Sequence, residues 1–281
     1  MIRRPRPEDD QFALHTFVRR VYSVPEPGMR RRQVQRHLAT VDAEVAAEHL
    51  QAVLARALAG SPEAREVLMA VIAHIEAAEG ADAGRLDAID LSARAASHRG
   101  VPWLLIEPPP WREVDHVAFR HGRGRAMSLG ARRTAAAGHD RVQLERLLAD
   151  PHPLVVDRLA ANPRISEAEI LTIVTKRPTR ADALRTVAKH PRWMGRQTVR
   201  EAIVQNPFAP TGLALRMLPL VPHPTVERAR HAAELHPAIS MFARYLVALR
   251  NGDDTTALPG VEDLTSELQR EKLGLARGRD R

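Results

Sequence analysis

The stretch DPHPLVVDRLAANPRIS, Asp150 to Ser166, decides the fold. An apolar helical phrase, Leu154 to Ala161, runs into Asn162 and Pro163. A proline ring drives the residue before it out of the helical region, so the helix stops at Asn162. Asn, Asp and His also best tolerate the left-handed or capping conformation of a helix end. Ser166 and Glu169 then have the spacing of a capping box, which starts the next helix. One short phrase thus contains a helix, its stop and the start of its successor.

The phrase recurs. LERLLADP ends at Pro151, VDRLAANP at Pro163, LRTVAKHP at Pro191, VREAIVQNP at Pro207 and RHAAELHP at Pro237, with a weaker copy, IVTKRP, at Pro178. Asp150, Asn162, His190, Asn206 and His236 occupy the cap position. Thr179 with Asp182 repeats the capping-box spacing with a shorter acid. At an offset of 44, Val155, Leu159, Asn162, Pro163, Leu171 and Val174 fall on Val199, Ile203, Asn206, Pro207, Leu215 and Leu218. At an offset of 28, Val156, Leu159, Ala160, Asn162 and Pro163 fall on Leu184, Val187, Ala188, His190 and Pro191. Helix pairs recurring every 27 to 30 residues have the period of α-solenoids, in which each pair covers its neighbour's apolar face.

Asp150 to Ser166, VAKHPRW at Val187 to Trp193 and VREAIVQNPFAPTGLALRMLPLV at Val199 to Val221 resemble the bacterial leucine-rich-repeat-variant and HEAT-like helical repeats. Their recurring phrase is VRxxLAxNPxTPxxxLxxL. The likeness runs from Leu144 to Leu249 and extends to bacterial proteins of unassigned function that join a helical N-terminal part to such repeats. It implies a right-handed superhelix of helix pairs with a binding or scaffolding role, and no catalytic residues. Some leucine-rich-repeat-variant proteins carry a Cys-ligated cluster; this chain has no cysteine, so that feature does not transfer.

Outward from the repeats the pattern changes. A first helix is expected from about Glu8 to Tyr22, broken by VPEPG, and a long one from about Met29 to Ala59 with Val34, Leu38, Val41, Val45 and Ala52 inward. Ser61 caps a third helix with Pro62 in its first turn and Val67, Leu68, Val71, Ile72 and Ile75 inward. A fourth spans about Gly84 to His98 with Leu86, Ile89 and Leu91 inward. VPWLLIEPPPW and FRHGRGRAMSLG read as irregular chain that packs down through Trp103, Leu104, Leu105 and Ile106, with a short helix near Trp111 to Phe119. A last helix is expected over Val261 to Leu273, followed by a disordered tail, GLARGRDR. The organisation expected is all-α: a helical bundle at 1–100, a Pro/Gly/Arg-rich connector at 101–140, a helical-repeat domain at 141–250, and a C-terminal helix and tail at 251–281.

Composition narrows the classes of function. Of 281 residues 44% are hydrophobic, 4% aromatic and none is cysteine. That excludes disulfides, thiolate nucleophiles and Cys-ligated metal. The N-terminus MIRRPRPEDDQF lacks an apolar signal core and no run approaches the ~18 apolar residues of a membrane span, so a soluble cytoplasmic protein is expected. Net charge is +8, and residues 141–250 alone carry 17 basic against 9 acidic residues, also +8. An Arg- and Ala-rich composition is also what a GC-rich genome produces.

No HExxH, HxH or GxSxG is present. Glu44, Glu48 and His49 on one helix read as a solvated face. Gly122-Arg123-Gly124-Arg125 follows no strand, so it reads as a basic linker rather than a dinucleotide fingerprint. His190 and His236 read as structural caps. The leading functional expectation is a non-catalytic scaffold whose repeat surface binds a protein partner, with no cofactor and no metal. The alternative is nucleic-acid binding by a basic face of Arg158, Arg164, Lys176, Arg177, Arg180, Arg185, Lys189, Arg192, Arg196 and Arg200, with Trp193 as a stacking platform; against it stands the favoured reading of Trp193 as a solenoid core residue and the Arg side chains as solvated ridge positions. HEAT-like DNA glycosylases, which use a groove Trp and an acidic residue, are a further likeness, with Glu201 or Asp182 beside Trp193. If the register is right, Ala at Leu159, Val187 or Ile203 lowers stability by about 2–5 kcal/mol in denaturant unfolding.

Overall fold

The computed structural model describes residues 7–112, 114, 127–266 and 268. Among these the chain is all helical, with no strand. Its α-helices are α1 Pro7–Tyr22, α2 Pro27–Thr40, α3 Ala43–Leu58, α4 Pro62–Ile75, α5 Ala81–Ala95, α6 Gly100–Leu105, α7 Leu129–Ala136, α8 Arg141–Leu147, α9 Pro153–Ala161, α10 Glu167–Val174, α11 Ala181–Ala188, α12 Pro191–Met194, α13 Gln197–Val204, α14 Thr211–Met217, α15 His223–His231 and α16 Pro237–Asn251. No described helix is long and apolar enough to cross a membrane.

Two compact units divide the chain: Met1–Glu107 with Met241–Arg281, and Pro108–Ser240. This differs from boundaries at 100, 140 and 250, because chain at both edges packs into the first core. Trp103 is buried and stacks on Phe242 with ring centroids 5.7 Å apart. The Gln51 amide accepts from the Gly100 N–H at 3.1 Å and donates to the Tyr245 hydroxyl at 3.2 Å. A Cβ on Gly100 would lie 2.5 Å from a Leu54 methyl and 2.9 Å from the Gln51 amide oxygen, so any other residue there requires the buried Leu54 to move. The Arg99 guanidinium donates to the carbonyls of Thr255 (2.6 Å), Thr256 (2.5 Å) and Leu258, which ties down the loop after α16.

Within the first unit, α4 packs on α1, α2 and α3, and α5 packs on α3. Ser61 caps α4 by accepting from the Ala64 N–H at 3.2 Å, and Val67, Leu68, Val71, Ile72 and Ile75 are all buried. The single long helix expected from Met29 is two helices, broken at Val41 (φ −90°, ψ 161°). Thr40 bonds its hydroxyl back to the carbonyls of Arg36 and His37, both at 3.0 Å, and Arg85 takes those of Leu38 (2.7 Å) and Val41. With the end of α2 satisfied by side chains, the helix need not continue. The break also shifts the inward phase. Ala46, Ala47, Leu50, Val53, Leu54 and Ala57 are buried, while Val41, Val45 and Ala52 are half-buried.

Leu91 was expected inside and is 71% exposed; Ala93, one helical turn beyond Ile89, fills the core instead. His49 is not on a solvated face but is 2% exposed. His37 lies between Phe17 (centroids 3.9 Å) and His49 (5.1 Å), with its Nε2 2.9 Å from His49 Nδ1. The expected irregular connector contains two helices, α6 and α7, and Trp103 and Leu104 are buried as expected while Leu105 and Ile106 are half-buried. Most of the expected Trp111–Phe119 helix, the Gly122–Arg125 linker, the end of the Val261–Leu273 helix and the tail lie outside the described residues.

In the second unit, α7 packs on α9 and α9 on α11, while α10 packs on α13 and α13 on α14. The helices thus pack in pairs, with α9 between α7 and α11 and α13 against both α10 and α14. Most superposed positions behave alike: Val155 and Val199, Leu159 and Ile203, and Val174 and Leu218 are buried, as are Leu184 and Val187 at the shorter offset, whereas Leu171 is half-buried against a buried Leu215 and Pro163 exposed against a buried Pro207. Ser166 and Glu169 form the expected capping box. Thr179 and Asp182 do not, because α11 starts one residue later, with Arg180 at its N-cap and Thr179 buried.

Candidate functional site

The cap residues are the working parts of the second unit. Asn162 Oδ1 accepts from the N–H of Arg164, two residues on, at 2.9 Å. Its Nδ2 donates to the carbonyls of Ala136 and Gly138, both at 2.9 Å, at the end of α7. Asn206, 44 residues later, repeats this: Oδ1 accepts from Phe208 N–H at 3.0 Å, and Nδ2 donates to Val174 O at 2.8 Å and Lys176 O at 3.2 Å. Each amide closes its own turn and satisfies two carbonyls of a preceding helix end. Both are buried, and full pairing is what makes a buried amide tolerable.

Asp150 makes the same turn, accepting from His152 N–H at 2.9 Å. A carboxylate has no donor, so Arg132 of α7 supplies the link backward, 2.6 Å from Asp150 Oδ2. His236 closes its turn through Nδ1, which accepts from Ala238 N–H at 3.0 Å. His190 departs from the pattern, with Nε2 3.1 Å from Asp157 Oδ1 and no side-chain bond to its own helix start. Of the left-handed or capping conformations expected, Asn162 (φ −72°, ψ 122°) and His190 (φ −86°, ψ 115°) take the extended capping one. The proline that follows each one selects that region.

The expected basic face is largely drawn into the fold. Lys176 donates to Ala149 O at 2.7 Å, Arg177 to Gln205 O, Arg192 to Ile165 O at 2.8 Å and Asn162 O at 3.3 Å, and the buried Arg200 to Met194 O. Arg180 pairs with Asp182 at 3.4 Å and Arg196 with Glu167 at 3.6 Å. Arg185 is half-buried; Arg177, Arg192 and Arg196 stay exposed while making these bonds, and Arg158, Arg164 and Lys189 are exposed as well. Trp193 is 1% exposed and its indole N–H donates to Ala160 O at 2.8 Å, with the Arg192 guanidinium 4.2 Å above its ring. A buried Trp cannot stack on a base, so it is removed from the candidate face. Glu201 is likewise occupied, accepting from Thr225 Oγ1 at 2.6 Å and Gln197 Nε2 at 2.9 Å, and Asp182 is exposed. The Asp182 or Glu201 pairing with Trp193 that a glycosylase-like groove requires is not assembled.

Two features near the end of this unit have no counterpart in the sequence reading. A cleft of about 540 Å³ is lined by Arg177, Gln205, Arg228, His231, Glu234 and Leu235, among others. Its charges are mixed and partly paired, with Arg228 3.6 Å from Glu201 and His231 3.9 Å from Glu227. The second is the segment Pro108–Trp111, whose Trp111 ring meets the buried His236 ring edge-on, centroids 5.4 Å apart. The prolines gave warning of extended chain, but nothing local indicates where such chain lands.

Comparison with protein-family models, with curated proteins and with solved structures finds no match to this chain. The residues themselves therefore carry the reading of function.

Asn206→Ala removes two donors and an acceptor from buried backbone groups and lowers stability by about 1–3 kcal/mol in urea unfolding, whereas an exposed polar residue such as Thr172 tolerates Ala almost without change. Acid acts elsewhere. Burial pushes His236 down to about 4, and burial with the charges of His49 and Arg20 does the same to His37, from an ordinary value of 6.5. Both bind protons more weakly folded than unfolded, so their contribution is complete above pH 6.5 and is lost as pH falls toward 4. Unfolding midpoints measured across that window fall with pH, and His236→Asn, which keeps the cap acceptor, flattens the dependence.

Proposed function

We propose that the helices from α7 to α15 form a short right-handed α-solenoid of the HEAT-like or leucine-rich-repeat-variant kind. We further propose that the chain is a non-catalytic cytoplasmic interaction protein using this array to bind a protein partner. The observation that carries the reading is the equivalence of Asn162 and Asn206. The same buried amide joins helix to preceding helix at two places 44 residues apart. Repeats joined by buried cap side chains leave the outward helix faces without a role in the core, and such faces are what helical-repeat proteins present to partners. Exposed apolar residues on α8 and α9, Val142 and Leu154, suit a protein surface better than a phosphate backbone.

The nucleic-acid reading keeps one supporting observation, the exposed Arg158, Arg164 and Lys189 on a region of net charge +8. The number of cations already committed within the fold limits it. Each phosphate neutralised by a protein contributes about −0.9 to the slope of log K against log salt. If only Arg158, Arg164 and Lys189, exposed cations without a side-chain bond among the described residues, neutralise phosphates, the slope is about −3. Fluorescence anisotropy with duplex and single-stranded DNA over about 50–200 mM salt separates the readings. Weak binding with a shallow slope, together with a cross-linked protein partner that survives nuclease treatment, is expected. A slope of about −6 or steeper, or a partner lost on nuclease treatment, overturns the protein-binding reading.

A further inference from the structure

Pro108, Pro109, Pro110 and Trp111 follow the extended Ile106 (φ −68°, ψ 151°), whose angles are those of polyproline II. Consecutive prolines hold that conformation without internal hydrogen bonds, so their carbonyls remain available to a neighbour. Here they find one. Pro108 is buried, and Thr211 Oγ1, itself 1% exposed at the start of α14, donates to Pro109 O at 3.4 Å. Trp111 then packs its ring edge-on against His236. Because His236 Nδ1 accepts from Ala238 N–H, its other nitrogen, Nε2, carries the ring proton; that atom is buried and has no hydrogen-bond partner among the described residues.

A proline run with exposed carbonyls, a buried hydroxyl that grips one of them, and an aromatic anchor against a second ring together make up the proline-rich mode of peptide recognition. We propose that Pro108–Trp111 is a strap seated in cis on a peptide-docking groove of the second unit, and that the groove takes proline-rich segments of a partner that end on an aromatic side chain. Among the described residues one long hydrogen bond, one ring contact and the buried Pro108 hold the strap, so a partner segment of the same chemistry can displace it. The tethered strap competes at millimolar effective concentration, which makes it an autoinhibitory contact. The inference rests on the protein-binding reading and specifies its partner.

The test uses the full chain and a fluorescent synthetic peptide, EPPPWR, the sequence Glu107–Arg112. Trp111→Ala removes the strap's anchor and leaves the groove intact. Anisotropy is expected to show the peptide binding this variant at least about tenfold more tightly than the unsubstituted chain, as removal of a tethered competitor requires. Adding His236→Asn, which preserves the turn to Ala238, reverses the gain, and a peptide with Ala in place of Trp does not bind. Thermal unfolding reports whether each variant folds. If Trp111→Ala does not, Thr211→Val, which loses only the hydroxyl, takes its place with the same expected order. No binding to either variant, equal binding to the unsubstituted chain, or binding indifferent to His236→Asn overturns the proposal. A cross-linked protein partner insensitive to the peptide would sink the strap while leaving the protein-binding reading standing.

Discussion

The second unit depends on what a polar side chain does when a proline follows it. The proline ring forces an extended backbone on the cap residue and ends the helix. The side chain then folds forward to accept the N–H two residues on, a turn made at Asp150, Asn162, Asn206 and His236. An asparagine has a donor group to spare, and at Asn162 and Asn206 it reaches carbonyls 24 to 32 residues earlier in the chain. A single residue thus ends one helix and fastens it to another. Asp150 lacks the donor and requires Arg132, and His190 binds Asp157 instead.

The first unit ends its helices differently. Gly60, Ser97 and Gly252 have positive φ values, and the N–H of the following residue bonds back to the helix in each case: Ser61 to Arg56 O, His98 to Ala93 O and Asp253 to Ala248 O. These are left-handed Schellman ends, which return the chain sharply after helices of 15 or 16 residues. The extended Xaa-Pro ends of the second unit carry the chain onward to the next short helix.

Arginine has a structural share in both. Its planar fork reaches several carbonyls at once, as Arg99 does at Thr255, Thr256 and Leu258, and Arg192 at Asn162 and Ile165. Helix ends expose carbonyls that need donors, and short helices have many ends. Much of the positive charge in residues 141–250 therefore meets a demand internal to the fold. This lowers the weight that a net charge of +8 gives to a polyanionic partner.

The sequence by itself determined the helix stops before proline, the capping box at Ser166, the cap at Ser61 and the buried faces at Leu159, Val187 and Ile203. Each depends on neighbours within a few residues, so each is legible in a linear reading. The break at Val41 escaped it because Arg85, 44 residues on, helps to satisfy the end of α2. Trp193 was legible as a solenoid core residue, and it is buried, but the partner of its N–H, Ala160 O, lies 33 residues earlier and was not. The same holds for His49, for Gly100 beneath Leu54, and for the seat of Trp111 on His236. Tertiary structure decided which charged and aromatic side chains the fold absorbs, because a long side chain bonds to the nearest acceptor in space, and sequence distance does not record that.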